Sequence, residues 1–217
     1  MLNELEWELE SRGLPLVRYA DDSMIFCRSK RAAERVRESI TNFIEGRLHL
    51  KVNKEKTVVS YVRGVKYLGY SFYINKGKCL LTVHPKTKAK MRRRLKELTG
   101  RSNGMGYAKR KKELRLYIKG WVNYYHLATM KRLAEETDEW LRRRLRMCIW
   151  KSWKLPKVRI KNLIKCGINK YNARRWGHVK GYWRVAGTPI MHMAASNVNL
   201  RKAGYTFLYD EYVKWLP

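Results

Sequence analysis

The chain has 217 residues with 49 Lys or Arg against 18 Asp or Glu, which gives a formal net charge of +31. A folded domain with that charge repels itself unless a polyanion neutralises it, so nucleic acid is the expected partner; a membrane surface is disfavoured, because no run of about 18 uncharged apolar residues is present. Hydrophobic residues make up 45% of the chain, with 8 Trp and 14 Tyr, which excludes general disorder and allows one or two domains with hydrophobic cores.

The first part of the chain, residues 1–84, mixes helical and extended patterns. In order, the sequence predicts a helix over 2–11, hairpin strands over 14–19 and 24–27, a helix over 30–46, and strands over 48–52, 57–62, 65–74 and 79–83. Ser29 is placed to cap the second helix and Gly46 to end it. Residues 75–78 read as a turn between the last two strands. Such a mixture is typical of an α+β layer.

From Pro85 onward the pattern changes to amphipathic helix. Apolar residues recur at helical spacing in three stripes, formed by Met91, Leu95 and Leu98, by Leu114, Tyr117, Ile118 and Trp121, and by Leu141, Leu145, Cys148 and Ile149. Shorter helices are expected near 157–166, 189–196 and 207–216. Cations with few acids beside them form faces over 86–96, 109–119 and 142–154, and we expect these faces to meet phosphates.

The spacing of cysteines gives no sign of a zinc site. Cys27, Cys79, Cys148 and Cys166 form no Cys-x-x-Cys pair, whereas structural zinc sites usually need such pairs. Four reduced thiols in a cytosolic protein are the simpler interpretation. The acidic residues that follow Met1 argue against a signal peptide.

The residues that most suggest chemistry are the adjacent carboxylates of Asp21 and Asp22, in a turn between two apolar strands. Mg²⁺ prefers hard oxygen ligands, and a pair of such ions can stabilise the attacking and leaving oxygens of phosphoryl transfer. By itself an Asp-Asp pair is more often an ordinary solvated turn. The flanking hairpin pattern and the net charge of +31 favour a metal site here.

Several strings resemble those of bacterial group II intron reverse transcriptases. In the first part these are Tyr19–Asp22 (YADD), Leu50–Thr57 (LKVNKEKT) and Tyr67–Tyr70 (YLGY). In the basic part, Gly120–Tyr125 (GWVNYY) and Gly181–Arg184 (GYWR), followed by Thr188-Pro189 and Ser196-Asn197, resemble the maturase-specific thumb. The resemblance implies an α+β fold. A partial reverse transcriptase palm, made of a β-hairpin, a helix and antiparallel strands, would occupy 1–84, with a mainly helical thumb over 85–170 and a helical extension over 171–217.

The resemblance also implies roles for palm residues. Asp21 and Asp22 would be catalytic and would hold Mg²⁺, Asp21 as a direct ligand and Asp22 beside the metals. Lys56 would protonate the leaving pyrophosphate, although a phosphate contact or a solvated charge is the alternative. Tyr19 would lie near the template-primer. A further segment would press on the primer backbone or form a core strand, or both: Tyr67, Leu68, Gly69 and Tyr70.

In the thumb, charge and resemblance together predict a set of RNA contacts: Lys90, Arg92, Arg93, Arg94, Arg143 and Arg144. The aromatic residues of the GWVNYY string, Trp121, Tyr124 and Tyr125, have core spacing, and we expect most of them to be buried. Base stacking is the alternative for them.

The resemblance further predicts what the chain lacks. The family's metal site takes another Asp from an earlier palm strand, whereas residues 1–20 contain no Asp. The fingers and first palm strands are also expected to be missing. The two-metal site is then incomplete, and the chain would be a truncation or would work with a separate fingers–palm polypeptide.

Two functions remain as hypotheses. The chain would be part of an RNA-directed DNA polymerase, a nucleotidyltransferase that copies a mobile intron during retrohoming with an RNA template and a DNA primer, inactive in polymerisation alone. The alternative is an RNA-binding maturase that supports splicing, or a remnant without catalysis. Retrons and diversity-generating elements are disfavoured by the string at 120–125. Either hypothesis predicts intron RNA as the partner, in a bacterial cytoplasm.

Overall fold

The chain folds into two compact units, one ending at His84 and the other beginning at Pro85. The computed structural model describes residues 2–216. The first unit combines helices with two antiparallel two-stranded sheets, and the second unit is built of helices. The predicted α+β class is therefore confirmed. Within the described residues, no helix has the length and apolar character needed to span a bilayer.

The first unit follows the predicted order in its helices and hairpins. Its elements are α1 (Leu2–Ser11), β1 (Leu16–Tyr19), β2 (Asp22–Ile25), α2 (Lys30–Gly46), a 3₁₀ turn (Val62–Gly64), β3 (Tyr70–Asn75) and β4 (Lys78–Val83). The Ser29 hydroxyl accepts a hydrogen bond from the Ala32 N–H at 3.2 Å, so the predicted cap of α2 is confirmed. A small core joins α1 to α2 through the buried side chains of Leu5, Leu9, Ile40 and Leu48.

Two strands predicted between α2 and β3 are wrong, because residues 48–52 and 57–62 do not form strands. The reason lies in local backbone bonds. The N–H groups of Leu48 and Leu50 donate to carbonyls at the end of α2, at 3.3 and 3.1 Å, and the Thr57 N–H donates to the Asn53 carbonyl at 3.0 Å. These bonds take up backbone donors that a strand would need for a ladder.

The predicted strand over 65–74 is also partly wrong, since β3 starts at Tyr70. Leu68 and Gly69 both have positive φ, 50° and 83°, a conformation that cannot continue a strand. They form a tight turn in which Tyr67 and Tyr70 exchange backbone hydrogen bonds. The turn between β3 and β4, at Lys76 and Gly77, is where the sequence predicted it.

The second unit is a helical bundle. Its elements are α3 (Pro85–Leu98), α4 (Tyr107–Tyr125), α5 (Lys131–Ser152), α6 (Pro156–Lys165), α7 (Lys170–Gly177), α8 (Tyr182–Ala186), α9 (Pro189–Ala194), α10 (Asn197–Lys202), α11 (Leu208–Tyr212) and a 3₁₀ turn (Val213–Trp215). The predicted stripes are buried: Leu95, Leu114, Leu141 and Leu145 have no solvent exposure.

The last helices pack onto this bundle. The Asp138 carboxylate on α5 accepts from the N–H groups of Leu208 and Tyr209 at 2.8 and 2.9 Å, and so satisfies the N-terminus of α11. The Tyr212 hydroxyl donates to the Ala128 carbonyl at 3.1 Å. Contacts therefore tie the segment after residue 170 to α4 and α5, and the boundary at 170 stays a prediction.

Candidate nucleic-acid interface

The two aspartates lie at the tip of the β1–β2 hairpin, as the sequence predicted. Tyr19 pairs with Asp22 across the ladder, which leaves Ala20 and Asp21 as the turn. Both carboxylates are exposed, and the Tyr19 side chain is 65% exposed. The hairpin therefore presents two carboxylates and an aromatic ring to solvent at a single position.

The backbone of this turn is unusual. Ala20 has a φ of 53°, in the left-handed region that residues with a Cβ enter at a cost of roughly 1–2 kcal/mol. The Arg18 guanidinium donates to the Ala20 carbonyl at 3.2 Å and to the Glu6 carboxylate at 2.6 Å. Side-chain contacts from α1 thus help to hold the turn that carries Asp21.

Tyr67 meets Asp22, although 45 residues separate them in sequence. The Tyr67 hydroxyl donates a long hydrogen bond of 3.5 Å to the Asp22 carbonyl. Partial burial and the negative charge of Asp22 raise the pKa of the Tyr67 hydroxyl. The structure thus brings the YLGY turn, predicted as a primer contact, next to the aspartate hairpin.

Lys56 lies elsewhere in this unit. It ends the turn organised by Asn53 and its side chain is exposed. Within residues 2–216, Lys56 makes no ion pair within 4.0 Å with Asp21 or Asp22. Its role as a general acid stays a prediction.

The donor chemistry at the hairpin suits Mg²⁺, because both candidate ligands are carboxylates. Their number is small: the described residues contain no cluster of three or more His, Cys, Asp or Glu that could hold a metal ion. Asp21 and Asp22 are therefore two ligands of the right kind.

The cations predicted on α3 are available to a ligand. Lys90, Arg92, Arg93 and Arg94 are all exposed. Arg94 pairs with Glu97 at 3.0 Å, and the Arg92 guanidinium lies 4.9 Å from the centre of the Trp140 ring. Arg93 makes no ion pair or ring contact in the described part of the chain. Arg92 and Arg93 are neighbours that differ in how firmly the protein holds them.

Arg143 and Arg144 on α5 are both engaged inside the protein. Arg144 donates to the Thr99 hydroxyl at 2.6 Å and to the carbonyls of Lys96 and Thr99, each at 3.0 Å. Arg143 lies against Trp183 of α8, with 4.3 Å between the guanidinium carbon and the ring centre. RNA contact by either residue stays a prediction, and nothing in the sequence indicated these internal contacts.

Two arginines within the cationic stretches 109–119 and 142–154 do not lie on the exposed faces expected to meet phosphates. Arg110 is 6% exposed and Arg146 is 4% exposed. Arg110 donates to the Leu98 carbonyl at 3.2 Å, and Arg146 donates to the Ala195 carbonyl at 3.0 Å. These guanidiniums satisfy backbone carbonyls inside the unit, where they cannot reach a phosphate.

The aromatic string of α4 divides between core and surface. Trp121 is buried and Tyr125 half-buried, whereas Tyr124 is 51% exposed. Their rings touch, with centroid distances of 4.8 Å for Trp121–Tyr125 and 4.6 Å for Tyr124–Tyr125. The core reading is thus confirmed for Trp121, and base stacking stays a prediction for Tyr124.

Family comparisons agree with both halves of this arrangement. Residues 1–72 match the family described as reverse transcriptase (RNA-dependent DNA polymerase). Residues 88–167 match the group II intron, maturase-specific domain. No curated protein matches the chain.

A reverse transcriptase segment with an aspartate hairpin, followed by a basic maturase-specific domain, defines an intron-encoded reverse transcriptase/maturase. The chain belongs to the group II intron reverse transcriptase/maturase family. The resemblance read from YADD, YLGY and GWVNYY is therefore confirmed.

Proposed function

We propose that the chain binds group II intron RNA through its second unit, and that the aspartate hairpin of the first unit belongs to a Mg²⁺-dependent reverse transcriptase site. The observation that carries the proposal is the cationic surface on the maturase-specific domain. Arg92 and Arg93 are exposed on α3, and neither is neutralised by a carboxylate within the described residues. RNA phosphates are the polyanion that such a surface fits.

Selectivity for an intron would rest on shape. A-form RNA hides most base edges in a deep, narrow groove, so phosphate contacts position the protein without reading sequence. The cations of α3 sit on a helix whose apolar residues Met91, Leu95 and Leu98 are buried. A rigid helix fixes the spacing of its cations, and fixed spacing can match one RNA fold better than another. Support for splicing and retrohoming would follow from such binding.

For the polymerase reaction, Asp21 and Asp22 are the residues that would hold Mg²⁺. When bound, the ions would stabilise the attacking and leaving oxygens of nucleotidyl transfer. Tyr67 helps to position the hairpin through its contact with the Asp22 carbonyl. Because a two-metal site commonly takes more than two carboxylates, a polypeptide of these 217 residues would bind RNA without extending a primer. An RNA template, a DNA primer and a partner polypeptide that adds a carboxylate complete the proposal.

A second candidate function is RNA binding for splicing alone. The exposed hairpin favours it less than the first, since two exposed carboxylates would repel RNA phosphates unless they held metal ions.

Filter binding of the full chain to a folded group II intron RNA tests the proposal. Between about 50 and 200 mM salt, six to ten phosphate contacts would lower affinity on the order of 10³-fold or more. A duplex RNA of similar length serves as the shape control, and weaker binding to it supports recognition of the fold. A flat salt response would show that the charge of +31 serves another purpose.

A further inference from the structure

In the structure, Trp183 of the GYWR string and Gly187 both lie against the side chain of Arg143. We propose that Arg143, clamped by Trp183 and Gly187, is a preformed receptor for one backbone phosphate of bound RNA. The inference rests on the proposed function, because it names one site within the RNA-binding surface.

Two residues form the clamp. The indole of Trp183 packs against the guanidinium, whose central carbon is 4.3 Å from the ring centre. At Gly187 a Cβ would come within 3.0 Å of Nη2 and 3.1 Å of Cζ and Nε of Arg143. A side chain at 187 would therefore crowd the guanidinium and shift it by a few tenths of an ångström.

The clamped guanidinium has unused donors. Its Nε atom is buried and has no hydrogen-bond partner in the described structure. Its two terminal nitrogens are not enclosed in this way, and they form no hydrogen bond or ion pair with residues 2–216. Arg144, the next residue, donates hydrogen bonds to Thr99 and Lys96. Arg143 is thus held firmly but left unsatisfied, as a receptor for an external anion would be.

The surroundings favour an anion. A second arginine lies nearby, because the Arg101 guanidinium is 5.4 Å from the ring centre of Tyr182, the residue before Trp183. Burial, and then the positive charges of Arg146 and Arg143, lower the pKa of His192. Glu139 is the acid one helical turn before Arg143 on α5, and the described residues show no ion pair between them. The local charge is therefore strongly positive.

A phosphate diester fits this receptor, and it is the anion that the proposed RNA-binding function supplies. The planar guanidinium fork can donate to two phosphate oxygens, and packing against an indole leaves the edge of the fork free. A mobile surface arginine loses rotamer freedom when it binds, whereas Arg143 has already lost it. The clamp therefore makes Trp183 and Gly187 positioning residues for the phosphate contact.

The test uses the full chain and a blunt RNA duplex, a probe without unpaired bases. Arg143→Lys keeps the charge but cannot stack and fork in the same way, and we expect about a tenfold loss of affinity with an unchanged salt slope. Gly187→Ala should give a smaller loss with the charge intact, because a Cβ at 187 would shift the guanidinium by a few tenths of an ångström. The matched control is Arg174→Lys on α7, an exposed arginine outside the cationic faces, for which we expect less than about a twofold change.

A second measurement does not depend on any variant. In the wild-type chain, the NMR signal of the Arg143 Nε–H should shift when the duplex is added, while the signal of the carbonyl-bonded Arg146 should stay. Wild-type binding that falls with salt, together with Arg143 and Gly187 variants that bind like the Arg174 control and an unmoved signal, would overturn the clamp alone. Loss of salt-dependent binding in the wild type would overturn the proposed function instead.

Discussion

The Arg144 guanidinium donates to the Thr99 hydroxyl at 2.6 Å, and this contact joins α5 to the end of α3. The Thr99 hydroxyl in turn donates to the Leu95 carbonyl at 2.5 Å. Arg144 also donates to the carbonyls of Lys96 and Thr99 at 3.0 Å. One arginine thus satisfies carbonyls that the last turn of α3 leaves without helical partners.

From this contact we predict that Arg144→Ala lowers the free energy of unfolding of the second unit by roughly 2–3 kcal/mol, the size expected for charged hydrogen bonds that are partly shielded from water. Arg93→Ala, which removes the same charge from an exposed position, should change it by less than about 0.5 kcal/mol. Urea denaturation of both variants measures the difference. Equal values would mean that the carbonyl contacts contribute little.

A second prediction concerns Asp138 and pH. Burial raises the pKa of Asp138 to about 6, against the opposing effect of the Tyr209 and Leu208 N–H groups and the charge of Arg142. Between about pH 4 and 6 the unfolded chain therefore loses this proton before the folded chain does. The free energy of unfolding should fall as pH rises through this window, by up to roughly 3 kcal/mol, and level off above pH 6.

Asp138→Asn is the matched variant for this prediction, because it cannot titrate. Urea denaturation at several pH values measures the free energy of unfolding of both proteins. From pH 4 to 6 this free energy should fall in the wild type relative to the variant. A difference that is constant with pH would show that Asp138 has an ordinary pKa in the folded chain.

A third prediction separates the RNA surface from the metal site. Replacing Arg92, Arg93 and Arg94 by Ala should weaken binding of different folded RNAs by similar factors and flatten the salt slope by about one unit per lost contact. Removing three exposed cations from α2 in the first unit, Lys30, Arg31 and Arg35, is the control for charge alone. Equal effects of the two triple variants would argue against a specific surface on α3.

A fourth prediction is that Asp21→Asn combined with Asp22→Asn leaves RNA affinity unchanged or slightly higher. These carboxylates are anions that would meet RNA through metal ions and not directly. Filter binding with and without Mg²⁺ measures the effect. A loss of affinity that appears only with Mg²⁺ would place the hairpin in contact with the RNA through the ions.

A fifth prediction concerns polymerisation. In primer extension with an RNA template and Mg²⁺, a purified polypeptide of these 217 residues should make no DNA. The reason is that a two-metal site commonly takes a further carboxylate besides those of Asp21 and Asp22. Template-dependent extension that disappears in Asp21→Ala would show that the chain completes its metal site by itself, for example from a second copy.

Much of the candidate site could be predicted from sequence because its causes are local. The hairpin that carries Asp21 follows from two short apolar runs around a turn, and the cap of α2 follows from Ser29 three residues before Ala32. The buried stripe of Leu141 and Leu145 follows from helical periodicity. Hydrogen bonds and apolar spacing within one or two helical turns depend on residues that are close in sequence, so the sequence can predict them.

The sequence was misleading where local bonding competed with a pattern. Residues 48–52 alternate like a strand, but the N–H groups of Leu48 and Leu50 bond carbonyls at the end of α2. The YLGY string reads as a strand, yet Leu68 adopts a φ of 50°. This turn is closed within its own segment, since Ser71 donates to the Val65 carbonyl at 3.2 Å.

The sequence by itself predicted a nucleic-acid partner, and it determined the long helices of the second unit and the place of the two aspartates. Only the tertiary structure decided which cations are free. Arg93, Arg143 and Arg146 have the same side chain, but Arg93 faces solvent, Arg143 is clamped by an indole, and Arg146 bonds the Ala195 carbonyl in the interior. The physical reason is that the partners of a guanidinium come from segments about 40 to 50 residues away, which packing alone brings into reach.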